Sequence, residues 1–412
     1  MKLPAALRHK AFVNYLTGSF VSNIGSSVQA WAIAWHVYDL THNSFMVGLL
    51  GLVRVVPLLL FSLFGGVLAD QVDRRKVMLL TQCAMAIVSL VLFALTVNGF
   101  DAVAPLYVMV AINAIARSFD GPARQAMQVG LVPLQDYPNA ASINGMAWRL
   151  SDILGPIIAG VFILIPNNGL AFCYALNFAS FFAVLVAVWR LPPSKSEKSD
   201  DQPKSFKDVL RLIGDGLQFV NRTPVIRSAM WIDFWATLLS GAEALLPAFA
   251  ATILKMPAAY GILAASTGIG ALIAAAGLTW MPAIKNQGRV VVVMIAAFGV
   301  ATIGFGLSQN LFVAGICLAC IGAADMVSTV LRQTIRQLAT PDELRGRMSA
   351  TSSLFHISGP QLGDFEAGLV AKLFGERVSI VLGGALCLLV AGHWSRAKSL
   401  VDYKLGHERP ES

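Results

Sequence analysis

Sparsely charged apolar runs of roughly 18 to 25 residues follow one another along nearly the whole chain, each long enough to cross a bilayer core of about 30 Å as a helix. Twelve are read from the 412 residues: near 12–38, 45–69, 77–98, 103–125, 142–165, 170–190, 225–250, 258–282, 290–308, 311–332, 349–374 and 377–396. Lipid offers no partner to a free backbone N–H or C=O. Helices close those bonds within themselves, whereas barrel strands would be shorter and alternating. The expectation is an all-α membrane protein. A hydrophobic fraction of 56%, a charged fraction of 13% and a mean hydropathy of +0.67 exclude an ordinary soluble domain, in which about a quarter of residues carry charge.

Orientation follows from the 31 Lys and Arg residues. On this map Lys255, Lys372 and Arg377 fall on one side, Arg54, Arg117 and Arg149 fall inside runs, and the remainder favour the other side. The positive-inside rule makes that side, with both termini, cytoplasmic. The net charge of +8 then sits on short loops facing an anionic leaflet, which predicts lipid rather than nucleic acid as its partner. The opening "MKLPAALRHK" leads straight into a full-length run, so the first span is expected to stay in the membrane. All five Cys residues lie in predicted spans. Cys317 and Cys320 form a CxxC without neighbouring His, read as packing, and no metal site is expected.

One long polar interruption, "LPPSKSEKSDDQPKSFKDVL", Leu191 to Leu210, reads as a flexible linker. It divides the chain six runs against six: an N-terminal half at 1–191, a linker with an amphipathic helix at 192–224, and a C-terminal half at 225–412. After Ser205, Phe206, Val209, Leu210, Ile213, Leu217 and Val220 recur at helical spacing, as for a helix lying on the cytoplasmic face. A repeat links the halves. At an offset of 208, Arg124 and Gln125 match Arg332 and Gln333, Pro133 matches Pro341, Gly155 matches Gly363, and Gly160 matches Gly368. Two related six-span halves of parallel overall topology are the simplest source.

"GGVLADQVDRRK", Gly65 to Lys76, resembles the cytoplasmic signature between the second and third spans of the major facilitator superfamily, with Asp73 where the second glycine usually stands. The resemblance implies twelve transmembrane helices in two pseudo-symmetric bundles. It also implies a gating motif of Gly66, Asp70, Arg74 and Arg75, in which Asp70 latches against the neighbouring half and releases as the halves rock apart. A solvated basic loop is the plainer alternative. The corresponding second-half loop, "KNQGR", carries Lys285 where Asp70 would stand, so that latch reads as degraded. "SNIGSSVQAWAIAWHVYDLT", "RSFDGPARQAMQVGLVP" and "PDELRGRMSATSSLF" resemble the exporter branch containing macrolide efflux proteins and the enterobactin exporter. "WRLSDILGPIIAG", with Gly155, Pro156 and Gly160, is similar to the fifth-span antiporter signature.

An ionisable residue within a span costs at least about 2.5 to 3.5 kcal/mol on insertion scales, so each needs a partner or an aqueous cavity. Candidates for substrate or proton sites are Arg54, Arg117, Asp120, Glu243, Asp325, His356, Asp364 and Glu366. In the superfamily, spans one, four, seven and ten line the cavity, which singles out Arg117, Asp120, Asp233, Glu243 and Asp325; Asp233 could equally lie near the cytoplasmic boundary and be satisfied by water. The repeat sets Arg117 at the depth of Asp325. Arg117 with Asp120, and Arg149 with Asp152, could equally neutralise each other as i, i+3 pairs. His356 and Asp364 could share a helix face as a proton relay. Trp31, Trp35, Trp148, Trp231 and Trp235 could stack on a substrate ring or anchor the interface.

No GxxxxGK[ST], HExxH or GxSxG is present, which argues against ATP drive and against an enzyme. The resulting expectation is a monomeric secondary transporter of the bacterial inner membrane, without cofactor and driven by the proton gradient. It would export a small amphiphilic molecule: a siderophore, or alternatively a drug or macrolide.

Overall fold

Long helices stand where the apolar runs stand, and the described residues contain no strand. The computed structural model describes residues 4–100, 102–191, 206–282, 284–341 and 344–404; the side chains of 62–71, 206–210, 212–213, 345–346 and 349–350 lie outside that description. The first six helices are α1 (Lys10–Thr41), α2 (Ser44–Gln71), α3 (Arg74–Val97), α4 (Val103–Val129), α5 (Tyr137–Ile163) and α6 (Gly169–Trp189). Then come α7 (Phe206–Arg222), α8 (Pro224–Leu238), the short α9 (Leu246–Ala248), α10 (Ala259–Trp280), α11 (Gln287–Leu307), α12 (Leu311–Ala339), α13 (Arg345–Phe374), α14 (Glu376–Trp394) and α15 (Lys398–Val401).

Among the described residues ten spans are long and apolar enough to cross a membrane. The protein is therefore a multi-pass membrane protein. Helices α1 and α13 fill the first and eleventh predicted runs but fall outside that set, and their composition supplies the reason. Helix α1 carries Ser19, Ser22 and Gln29 as buried polar residues, and α13 carries His356, Gln361, Asp364 and Glu366. Helix starts are capped where the sequence turns polar: the Asp73 carboxylate accepts from the Arg75 N–H at 3.0 Å and the Asn310 side chain from the Val313 N–H at 2.8 Å, each worth about 1 kcal/mol. Asp73, unexpected in place of glycine, begins α3 in this way.

The contacts divide the chain into one unit of Met1–Thr41 with Val53–Asp208 and a second of His42–Leu52 with Val209–Ser412. In the first, α1 packs on α5 and α6, and α3 on α4 and α6. In the second, α8 packs on α13 and α14, and α11 on α12 and α14. Counting spans from each unit's first, the pairings are the same, as an internal repeat requires. Equivalent glycines make equivalent contacts. A methyl at Gly155 would collide with Ser27 on α1, and one at Gly363 with the Thr237 carbonyl on α8. In the first unit Tyr15, Met78, Met85, Phe181 and Val188 form a core. Within it Asn177 donates to Gln29 at 2.9 Å and to Ser89 at 3.0 Å, so buried amides find partners.

Two features go beyond the periodicity. The seventh apolar run is not one helix: α8 stops at Leu238, and Leu239–Gly241 lead into a 3₁₀ turn at Ala242–Leu245, then α9, then a π turn at Phe249–Ile253. Gly241 lies so close to the Gly363 carbonyl that no side chain fits, and Pro247 removes a backbone donor just beyond. Helix α7 turns Gly216 and Val220 inward, Gly216 against Arg347 and Thr351 of α13, while Asp215 pairs with Arg347 at 3.2 Å. Leu217 stays exposed; the side chains of Leu210 and Ile213, expected on the apolar face, lie outside the described residues.

Gly155→Ala should lower the melting temperature in detergent by an amount corresponding to about 1–3 kcal/mol of overpacking, whereas Gly145→Ala, with open space around it, should not. Equal melting of the two variants would refute the close α1–α5 contact.

Candidate functional site

In the first unit the charge on α4 is settled locally. The Asp120 carboxylate, 7% exposed, accepts from Thr81 Oγ1 at 3.0 Å and Gln82 Nε2 at 2.8 Å on α3, and from Arg124 Nε one turn on at 3.0 Å. Three residues from two helices thus hold one buried charge. Arg124, not Arg117, is the cation bonded to Asp120. A buried pair of this kind fixes geometry more than it adds stability, because desolvation offsets its attraction.

Arg117 is exposed, and its electrostatic neighbours within the unit are Asp120, Arg124, Arg54 and Asp152. Asp152 on α5 is flanked by Arg149 and Arg117. Asp120 being bonded to Arg124, Asp152 is the acid that Arg117 and Arg149 share. Two guanidiniums against one carboxylate make this region attractive to an anion.

In the second unit Asp233 of α8 is 8% exposed rather than at a wet boundary, and its Oδ1 lies 2.7 Å from Arg332 Nη2. The same Nη2 is 3.9 Å from Asp325 and donates to Thr329 Oγ1 at 2.9 Å. Arg124 and Arg332 therefore anchor one ion pair in each unit. The sequence marked both as repeat positions, but the approach of α8 to α12 that gives Arg332 its acid is a tertiary fact. Beside Asp233, Trp231 stacks on Trp235 at 6.2 Å and meets Phe355 of α13 edge-on at 5.6 Å, leaving Trp235 exposed. Glu243 is exposed on the 3₁₀ turn after the break, His356 is exposed on α13, and Asp364 and Glu366 are half-buried there.

Of the gating motif, the side chains of Gly66 and Asp70 lie outside the described residues. Arg74 donates to the Ala126 carbonyl on α4 at 3.4 Å, and Arg75 donates to the Trp189 carbonyl at the end of α6. Cations at helix C-termini meet the negative end of the dipole. In the second unit Arg289 lies 3.8 Å from Asp402, and the Gly288 N–H reaches the Tyr403 carbonyl at 3.5 Å. An acid from the chain beyond α14 thus faces the loop in which Lys285 replaces one. Both partners are exposed, so the pair contributes about 0–1 kcal/mol. Gly155 and Pro156 are buried on α5, where Pro156 sits inside the helix.

Asp120→Ala should destabilise the detergent-solubilised protein by about 3–5 kcal/mol, because the Arg124 charge is left buried. Adding Arg124→Leu should recover part of that loss; strictly additive losses would show that the pair is not coupled.

The family model described as "Transmembrane secretion effector" matches residues 3–404. The enterobactin exporter EntS of Salmonella typhi is 26% identical over 404 residues, covering 94% of each chain, and that of Citrobacter koseri is 25% identical over 397 residues, covering 94% of this chain and 93% of its own. Among solved structures, a bacterial homologue of the lysosomal transporter Spinster superposes with a TM-score of 0.72 at 12% identity, covering 97% of this chain and 99% of that one. The nucleoside transporter NupG superposes with a TM-score of 0.71 at 13% identity, covering 94% and 99%. These structures share the fold, and the match of the family model over nearly the whole length places the chain in the transmembrane secretion effector family of the major facilitator superfamily.

Proposed function

We propose that the protein exports a small anionic amphiphile, a siderophore of the enterobactin kind, across the bacterial inner membrane in exchange for protons. The observation that carries this reading is the placing of two guanidiniums, Arg117 and Arg149, against the single carboxylate of Asp152 in the first unit. Each in-span cation costs about 2.5–3.5 kcal/mol on insertion scales, and an anionic cargo offsets that cost for Arg117 and Arg149 when it binds. The names of the curated relatives support the choice of cargo. In this reading α1 and α13 complete twelve spans in two six-helix bundles, both termini are cytoplasmic, and a monomer works by alternating access without a cofactor.

A titratable carboxylate loads a proton from outside and loses it inside, biasing the protein toward releasing cargo outward. Asp70 is the gating carboxylate, closing on a helix terminus or an arginine when the cytoplasmic side shuts. The second reading, efflux of a cationic drug or macrolide, draws on Glu243, Asp325, Asp364 and Glu366 in the second unit.

Everted membrane vesicles test both. Under an imposed pH gradient they should accumulate enterobactin, and Arg117→Ala or Arg149→Ala should raise its KM about tenfold, as for loss of one charge-assisted contact, with Arg117→Lys less affected. Accumulation of a cationic dye but not enterobactin, unaffected by the arginine changes, would favour the second reading. Asp70→Asn should leave the protein folded in the membrane but slow export; normal export by that variant would remove the latch.

A further inference from the structure

The two repeat-related arginines are held differently, and one substitution accounts for the difference. Arg124 pairs with Asp120, four residues back on its own helix, so the pair moves as one body. At the same offset, Asp120 corresponds to Ser328, four residues before Arg332. The Ser328 hydroxyl is buried and has no hydrogen-bond partner among the described residues, nor has Nη1 of Arg332, itself 2% exposed. Lacking an acid on its own turn, Arg332 reaches across to Asp233 on α8 at 2.7 Å and lies 3.9 Å from Asp325 on its own helix. Thr329 links the two, accepting from Arg332 at 2.9 Å and donating to Asp325 at 3.4 Å. The acids differ in surroundings: side-chain exposure is 11% for Asp233 and 47% for Asp325.

We propose that Arg332 is a counter-cation shared between Asp233 and Asp325, and that Asp233 carries the proton exchanged for the cargo. This rests on the proton-antiport reading above and names its site. A proton from external water forms an O–H bond on the Asp233 carboxylate. The neutral acid no longer holds the guanidinium, which turns toward Asp325 through the Thr329 hydroxyl. When Asp233 gives that proton to cytoplasmic water, its carboxylate recaptures Arg332. A pair that bridges two helices can be made and broken by their movement, which a pair within one turn cannot.

Among the described residues, the charged groups that face Asp233 are Arg332 and Arg336, both from α12. Among the described residues, the other elements packed on α8 meet it with uncharged groups: Phe355, Gly359 and Gly363 from α13, Cys387 from α14 and Ser399 from α15. Arg336, a turn further along α12, keeps the region from becoming net negative while Asp233 is ionised.

The test uses the full-length transporter in proteoliposomes with enterobactin as the probe, comparing counterflow without a pH gradient to accumulation under one. Asp233→Asn should reduce accumulation about tenfold more than counterflow, the split expected of a coupling residue. Because that change leaves Arg332 buried without its acid, Asp233→Asn with Arg332→Gln serves as the charge-free partner and should show the same split. A substrate-free readout accompanies them. In the acid-minus-alkaline infrared spectrum, where every titrating carboxyl contributes, subtracting the Asp233→Asn spectrum from that of wild type should leave one carboxylic-acid carbonyl component, which the Asp325→Asn spectrum retains. Equal losses in both transport assays, wild-type accumulation by the double variant, or a carbonyl region in Asp233→Asn identical to that of wild type would overturn the assignment. Failure of wild type to carry enterobactin would instead overturn the cargo reading, with the infrared band still deciding the role of Asp233.

Discussion

Inside an apolar bundle an ionised side chain must meet an opposite charge or a set of hydrogen bonds before its helix can pack, and the arrangement of the polar residues here follows from that requirement. Asp120 gathers Thr81, Gln82 and Arg124, tying α3 to α4. Asp233 meets Arg332, tying α8 to α12. Helix ends obey the same rule at lower stakes: Asp73 caps α3, while Arg74 and Arg75 reach the carbonyls that α4 and α6 leave open. Once these groups are satisfied, glycines such as Gly155 and Gly363 let the helices close on one another.

Helix positions were legible because length and apolarity are local properties: the predicted run at 77–98 lies within Arg74–Val97 extended by one residue, and that at 170–190 matches Gly169–Trp189 within one residue at each end. The break at Leu239–Gly241 was not, since Ser240, Gly241 and Pro247 interrupt a run that stays apolar, and hydropathy ignores backbone hydrogen bonding. The offset of 208 located Arg124 and Arg332 without revealing what they do. An i, i+3 spacing offers Arg117 as one partner for Asp120, but Arg124, at i+4, is the one it bonds. The partner of Arg332 comes from a helix about 100 residues earlier in the chain, beyond the reach of any local pattern.

Divergence between the units bears on function. The repeat supplies each with an arginine at the same place, yet one keeps its acid on its own helix and the other takes it from a neighbour. The first unit also gathers cations around Asp152, whereas the second has its acids spread over the turn after the break, α12 and α13. A transporter that binds an anion with one set of residues and a proton with another separates cargo affinity from coupling, so each can change without abolishing the other.

Exchange of cargo for protons is the central claim, and internal pH reports on it directly. Proteoliposomes enclosing a pH-sensitive dye, given an enterobactin gradient and no imposed pH difference, should show protons moving opposite to enterobactin and at a rate that follows it. Enterobactin crossing the membrane while internal pH stays constant would contradict antiport.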